Sequence, residues 1–280
     1  MRPPYVPGAG VAGEVISVGE EVDGEWIGAR VVTDTAEGGG YVERALAAVD
    51  GLVRVPDGLG LPEAAALLHD GRTALGLFDN AEIKPQEWVL VLGAGGGLGS
   101  LLVQLAHAAG ARVVAAARGD RKLDLARELG ADVVIDSSQA GWPEQVREAT
   151  DAAGPAVVFD GVGGDIGEAA FQITAPGGRF SAHGAPSGGF AQIDLQEAER
   201  RGVTVRGIEQ AQFSPADAKR LAERALSEAA AGRITPVIGQ TFALPQAADA
   251  HAAIEARDVI GKTLLLNSAP ISVTREKPTP

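Results

Sequence analysis

Up to Pro56 the chain alternates apolar and polar residues in short runs, the period-two pattern of half-buried strands. Val11-Ala12-Gly13-Glu14-Val15-Ile16-Ser17-Val18-Gly19 is the longest run. Arg30-Val31-Val32 and Tyr41-Val42-Glu43-Arg44-Ala45-Leu46 are further short strands, with Gly38-Gly39-Gly40 as a turn between them. So few strands leave sheet edges bare; either later residues return to complete the sheet or further strands precede Met1. The period then lengthens. Residues 61–68 read as a short helix with Pro62 in its first turn, and His69-Asp70-Gly71-Arg72 leads into a second helix over 73–80.

From Trp88 onward, apolar runs and helical stretches take turns. Strands are expected near 88–92, 112–117, 132–135, 156–160, 178–183 and 203–208, with helices or long connections between them. Six parallel-type strands in that alternation predict an α/β fold: an open, doubly wound parallel sheet with its ligand at the carboxyl ends of the strands. The helix over 98–109 carries Leu98, Leu101, Leu102 and Leu105 on one face and His107 on the other. Ser214-Pro215-Ala216-Asp217 is a helix start, with a capping serine, proline in the first turn and an acid three residues on. A strand over 241–244, a helix over 245–256 and a strand over 262–266 follow; these could supply the partners the N-terminal sheet lacks. The tail 268–280 holds three prolines and scattered charge and reads as disordered.

The first of the six strands runs into Gly93-Ala94-Gly95-Gly96-Gly97-Leu98-Gly99. Counted back from Gly99, the spacing is Ala94-x-Gly96-x-x-Gly99, a dinucleotide fingerprint with alanine in place of the first glycine. Glycines let backbone N–H groups approach a ligand closely. The unpaired N–H groups and positive dipole end of the following helix favour a phosphate. Strand before, helix after and second strand on schedule make this loop, Ala94 to Leu98, the expected cofactor cradle.

Composition narrows the partners. The 280 residues carry a formal net charge of −13, which opposes non-specific binding to nucleic acid or anionic membrane, so a bound anion needs a local group of cations and dipoles. No apolar run approaches membrane-spanning length and no secretory signal precedes the first strands, which fits a cytoplasmic protein acting on a small molecule. There is no cysteine, so disulfides and thiolate metal sites are excluded, and four scattered histidines form no metal constellation.

At the end of the second parallel strand, where an acid would bond an adenosine 2′-hydroxyl, the chain reads Ala115-Ala116-Ala117-Arg118, with Lys122 one turn beyond. Two cations able to pair with a 2′-phosphate favour NADP(H) over NAD(H); Asp120 sits where a helix N-cap is expected. Val162 and Gly163 after the fourth strand, and His183 and Gly184 after the fifth, fall on the same edge and should face the nicotinamide half. His183 is either part of that site or a loop histidine with a satisfied hydrogen bond. His69 and Asp70 are the remaining catalytic candidates: a proton donor near the reacting carbon, or simply a helix cap. His251, among alanines, reads as a packing or surface histidine.

Together these segments resemble the zinc-independent medium-chain dehydrogenase/reductases of the quinone oxidoreductase type. The resemblance rests on Pro7-Gly8-Ala9-Gly10-Val11-Ala12-Gly13-Glu14-Val15, Gly39-Gly40-Tyr41-Val42-Glu43, Asp70-Gly71-Arg72-Thr73-Ala74 and the fingerprint. Leu129-Gly130-Ala131-Asp132, Phe159 to Gly164, Pro176-Gly177-Gly178-Arg179 and Gly261-Lys262-Thr263 continue it in order. It implies a GroES-like barrel built from both chain ends (1–70 and 208–267), partial here, a Rossmann domain (71–207) and NADPH in the cleft. It also implies a homodimer through the strand near 203–208. Ala9 stands where zinc-dependent relatives place a ligand histidine, and the cysteine-rich lobe expected before Tyr41 is replaced by Glu37-Gly38-Gly39-Gly40. Thr73 matches a threonine near the nicotinamide ribose and Lys122 a lysine near the 2′-phosphate, while Ser137 replaces a tyrosine that packs by the adenine ribose. Family members open with several more strands before Pro7-Gly8; their absence points to a shortened chain or a start placed too late.

Three functions follow: hydride transfer from NADPH to a quinone, reduction of an enone or enoyl thioester by the same apparatus, or NADPH binding without turnover.

Overall fold

The computed structural model describes residues 5–35, 38–257 and 259–267. The expected disorder of the 268–280 tail and the contribution of Glu37 lie outside them. Strands β1 (Gly10–Glu14), β2 (Arg30–Asp34) and β3 (Val53–Arg54) form an antiparallel sheet in the order β1-β2-β3. Its core face carries Val32 and Val53, paired across β2 and β3 and packed beneath helix α1 (Leu61–Ala81), while Val31 is buried on the other face. The expected strand over 41–46 is instead a series of exposed bends. Its alternation is real, but a strand needs a neighbour: Gly39, Gly40 and Tyr41 donate to the carbonyls of Val6, Gly8 and Pro7 and the pairing ends there, leaving Leu46 100% exposed. β1 likewise ends at Glu14 rather than Gly19.

Helix α1 corrects a second expectation. It is a single helix of 21 residues, not two joined at His69 to Arg72. Gly71 is not punctuation here. A Cβ on it would meet Ala225 Cβ at 2.8 Å, so the glycine lets α1 approach α7 (Pro215–Ala230), and Gly76 does the same beneath the Phe213 ring. An interior glycine costs about 1 kcal/mol of helix propensity, offset here by that close packing. His69 and Asp70 therefore cap nothing.

The six-stranded sheet is wholly parallel. It consists of β4 (Trp88–Leu92), β5 (Arg112–Ala117), β6 (Val133–Asp136), β7 (Val157–Asp160), β8 (Arg179–Ala182) and β9 (Thr204–Arg206), in the order β6-β5-β4-β7-β8-β9. Helices α2 (Gly97–Ala108), α3 (Asp120–Glu128), α4 (Trp142–Ala149), α5 (Gly164–Ile173) and α6 (Leu195–Arg201) connect them. Both faces of the sheet's centre are covered, which is why β4, β5 and β7 are nearly continuous apolar runs. Val89, Val91, Val113 and Phe159 face α1, α2 and α7, whereas Leu90, Val114, Val158 and Phe180 face the other layer with Trp142, Val146 and Phe171. The order reverses between β4 and β7, so the crevice at the tips of these two strands is where a ligand can enter.

Strand β10 (Ile238–Ala243) pairs in parallel with β11 (Lys262–Leu266), with helix α8 (Ala247–Glu255) between them in sequence. Among the described residues this pair is a separate two-stranded sheet and shares no ladder with β1–β3. β11 instead reaches the fingerprint: Gly261 N–H donates to Gly95 O at 2.8 Å.

Arg179 fastens the opposite end of the large sheet, donating to the Ala81 and Glu82 carbonyls closing α1 and to Glu87 Oε2 at 2.6 Å. Burial alone would raise the Glu87 pKa, but the hydrogen bonds from Arg179 and the Lys84 N–H outweigh it and hold the group below its usual value. A lowered folded pKa means stability that is present above the unfolded value and lost as pH falls through the folded one. Glu87→Gln is therefore expected to cost about 2 kcal/mol at pH 7. Urea unfolding across pH should show the gap to the parent closing below the ordinary value of 4.5; a gap independent of pH would contradict the ion pair.

Candidate dinucleotide site

The site starts where β4 stops. Gly93 takes a left-handed φ of +70°, turning the chain sharply, and its carbonyl accepts from Gly96 N–H at 3.0 Å. Because the positive φ falls on Gly93, Ala94 needs no glycine. It is buried with ordinary backbone geometry, and its N–H donates to Ala116 O at 3.1 Å, tying the turn to β5. That accounts for the one departure from the fingerprint. Gly99 marks the closest approach: a Cβ there would collide with the Gly93 carbonyl and lie 2.9 Å from Ala94 Cα.

The helix this turn feeds has no side-chain cap and no acid in its first turn. Each of the other seven α-helices among the described residues carries one there: Glu63, Asp120, Glu144, Asp165, Glu197, Asp217 and Asp249. The start of α2 is thus the end left open to an anion. The nearest carboxylate comes from α1: Asp70 lies against Gly97, and Lys262 Nζ holds it at 2.8 Å. Thr73, one turn further along α1, is half-buried.

Arg118, at the tip of β5, is exposed. The Lys122 stem lies across Gly95, whose added Cβ would meet it at 2.6 Å, and its Nζ donates to Arg257 O at 2.7 Å. The expected N-cap falls one residue earlier than Asp120, on Gly119 with φ +82°, because a left-handed residue is needed to turn from β5 into α3; Asp120 is the first helical residue.

Across the crevice, Asp160 ends β7 fully buried. Its Oδ1 accepts from the Val162 and Gly163 N–H groups at 2.9 and 2.8 Å, while Oδ2 has no partner among the described residues. Burial raises its pKa over the opposing pull of those bonds. Gly184, after β8, sits so close to Gly161 that a Cβ would overlap its carbonyl. The loops after β4, β7 and β8 converge there. Burial lowers the His183 pKa to about 4, so the ring is neutral at pH 7.

His69 belongs to a separate polar knot at the small sheet. Arg72 donates to His69 Nδ1 at 2.8 Å and pairs with Asp34 at 2.5 Å, and His69 Nε2 lies 3.5 Å from Asp34 Oδ1. Burial, then Arg72, lowers the His69 pKa. Asp34 and Lys262 were not singled out from the sequence as site residues, since their partners lie far along the chain. His107 is exposed and packs over Gly130, and His251 is exposed with Nε2 3.0 Å from the Tyr41 hydroxyl.

A six-stranded parallel sheet bearing this turn, set beside a small antiparallel sheet, defines the medium-chain dehydrogenase/reductase class. The family described as zinc-binding dehydrogenase matches residues 97–227. A quinone oxidoreductase of Pseudomonas aeruginosa is 34% identical over 259 residues, covering 91% of this chain and 80% of that protein. A 2-haloacrylate reductase of a Burkholderia species is 30% identical over 275 residues, 96% of this chain and 83% of that one. The crystal structure of Escherichia coli quinone oxidoreductase complexed with NADPH superimposes with a TM-score of 0.85 at 27% identity, over 95% of this chain and 84% of that one. The chain belongs to the zinc-independent quinone oxidoreductase family of medium-chain dehydrogenase/reductases. Among its described residues no group of three or more His, Asp or Glu is arranged to hold a metal.

Proposed function

We propose that this protein is an NADPH-dependent oxidoreductase that delivers hydride to a quinone or a similar electron-poor acceptor. One observation carries the reading: a tight glycine turn feeding a helix with no acid of its own in its first turn, with Arg118 and Lys122 at the neighbouring strand tip. The related structures solved with NADPH and the relatives named quinone oxidoreductase support it. NADPH supplies the hydride; the protein binds, orients and shields it. The Gly95 to Leu98 backbone would take the pyrophosphate, Arg118 and Lys122 the 2′-phosphate, and Thr73, Val162, Gly163, His183 and Gly184 the nicotinamide half.

The acceptor would lie between the strand tips and the small sheet, near His69 and Asp70. Because Arg72 donates to Nδ1, the neutral His69 carries its proton on Nε2, which is buried against Gly10 and 3.5 Å from Asp34 Oδ1, so the ring orders this polar knot and is not a strong acid. Asp70, 2.8 Å from Lys262 Nζ, acts by positioning that lysine. We also place a second copy of the chain along β9, an edge of the large sheet, giving a homodimer, and read the protein as cytoplasmic.

The 2-haloacrylate reductase relative favours a second reading, reduction of a conjugated acid or thioester. Following NADPH absorbance with 1,4-benzoquinone, 2-chloroacrylate and crotonyl thioester separates the two. The quinone is expected to be consumed at least tenfold faster per active site than either alkene. The reverse order would transfer the assignment to the second reading, and tight NADPH binding with no turnover would make the protein a nucleotide binder.

A further inference from the structure

Behind the strand tips runs a line of polar side chains that starts at the sheet edge. Gln210 lies in the short turn after β9, and its Nε2 is 3.0 Å from Arg206 O, 2.9 Å from Gly207 O and 2.9 Å from Ser181 Oγ. Ser181, in β8, is buried, and its Oγ is 3.0 Å from His183 Nδ1. His183 is only 8% exposed, its N–H donates to Asp160 O at 3.0 Å, and its ring stands edge-on to Phe159. Nε2 faces the loop after β7, 3.4 Å from where a Cβ on Gly161 would sit, and no described residue bonds it.

The hydrogen bonds along this line have one direction. Backbone carbonyls only accept, so the Gln210 nitrogen, not its oxygen, must face Arg206 and Gly207. That amide then donates to Ser181 Oγ. The hydroxyl hydrogen has one remaining partner, His183 Nδ1, and leaving a buried hydroxyl hydrogen unpaired is unfavourable. Nδ1 is therefore the acceptor and the single ring proton sits on Nε2. The competing arrangement, Nδ1–H donating to Ser181 O at 3.2 Å, strands the hydroxyl hydrogen.

We propose that His183 is a cofactor-contacting residue whose Nε2–H, fixed by the Gln210–Ser181 relay, donates to the carboxamide of the nicotinamide half, with Ser181 and Gln210 as positioning residues. This rests on the NADPH reading above. A neutral donor is well matched to this position, because it orients an amide oxygen without placing a positive charge beside a ring that must become cationic as it gives up hydride.

Long-range 1H–15N spectra of histidine-labelled protein, with NADPH and NADH titrations, test it. The free parent should show His183 protonated on Nε2, and its Nε2–H resonance should move on adding either dinucleotide. Ser181→Ala should shift the proton to Nδ1 and weaken NADPH and NADH alike, roughly three- to tenfold, whereas Ser181→Thr should retain the parent tautomer and affinity. Equal loss for both nucleotides is the signature of the shared nicotinamide end. An Nδ1–H tautomer in the parent, an unmoved resonance in a parent that binds, or a tautomer change without loss of affinity overturns the inference and leaves the NADPH reading standing. A parent that binds neither nucleotide overturns that reading, and the proposed contact with it, whichever nitrogen holds the proton.

Discussion

Gly99→Ala is expected to raise the dissociation constant for NADPH at least tenfold and to lower stability by about 1–2 kcal/mol, although alanine is the better helix former. Position 99 lies in the first turn of α2, where exchanging glycine for alanine would ordinarily gain up to about 1 kcal/mol. Here the methyl meets the Gly93 carbonyl and lies 2.9 Å from both Gly93 C and Ala94 Cα. These are backbone atoms and cannot swing aside, so the turn must open. Opening it moves the Gly97 and Leu98 N–H groups off their aim, strains the Gly96 N–H bond to the Gly93 carbonyl and loosens the Ala94 bond to β5. Gly13→Ala supplies the contrast, because among the described residues no atom beyond its chain neighbours lies within 4 Å of the added methyl. It should leave both quantities within experimental error. Denaturation midpoints and fluorescence titration with NADPH read the two effects separately. If Gly99→Ala binds and unfolds like the parent, this turn is not the phosphate cradle.

The large sheet is legible because both faces of its centre are buried, so β4, β5 and β7 announce themselves as nearly unbroken apolar runs. The fingerprint was legible for the same local reason, and its alanine becomes intelligible once Gly93 is seen to carry the positive φ. Errors arose where a residue's meaning depends on a distant neighbour. Gly71 looks like a break in sequence, yet Ala225 of α7 makes it a contact point inside one helix. The run 41–46 has a strand's alternation and no strand to pair with. Lys262 meets Asp70 across 192 positions of chain, and Gln210 meets Ser181 across 29, so neither the cradle's nearest ion pair nor the His183 relay leaves a periodic or motif signal. Local chemistry reads out from the sequence; side chains brought together by topology do not.

Nucleotide preference tests the other half of the cradle, and it needs substitutions that remove charge without removing packing. The Lys122 stem covers Gly95, so Lys122→Ala would both delete a cation and uncover the turn. Lys122→Met keeps the stem and removes the ammonium together with its bond to Arg257 O. Combined with Arg118→Ala, it takes away two cations expected to bond a phosphate dianion. Charge-assisted bonds of this kind are worth about 1.5–3 kcal/mol each, and less at an exposed position such as 118, so the double variant should lose on the order of a hundredfold in NADPH affinity. NADH has no 2′-phosphate and should change less than about threefold. Raising salt should weaken NADPH binding to the parent more than to the variant, because screening acts on the interaction the variant lacks. With a net charge of −13 repelling any polyanion, these two side chains are expected to carry most of the discrimination. Equal loss for both nucleotides would mean that they support the fold of the turn instead of reading the phosphate, and the assignment of NADPH over NADH would fall.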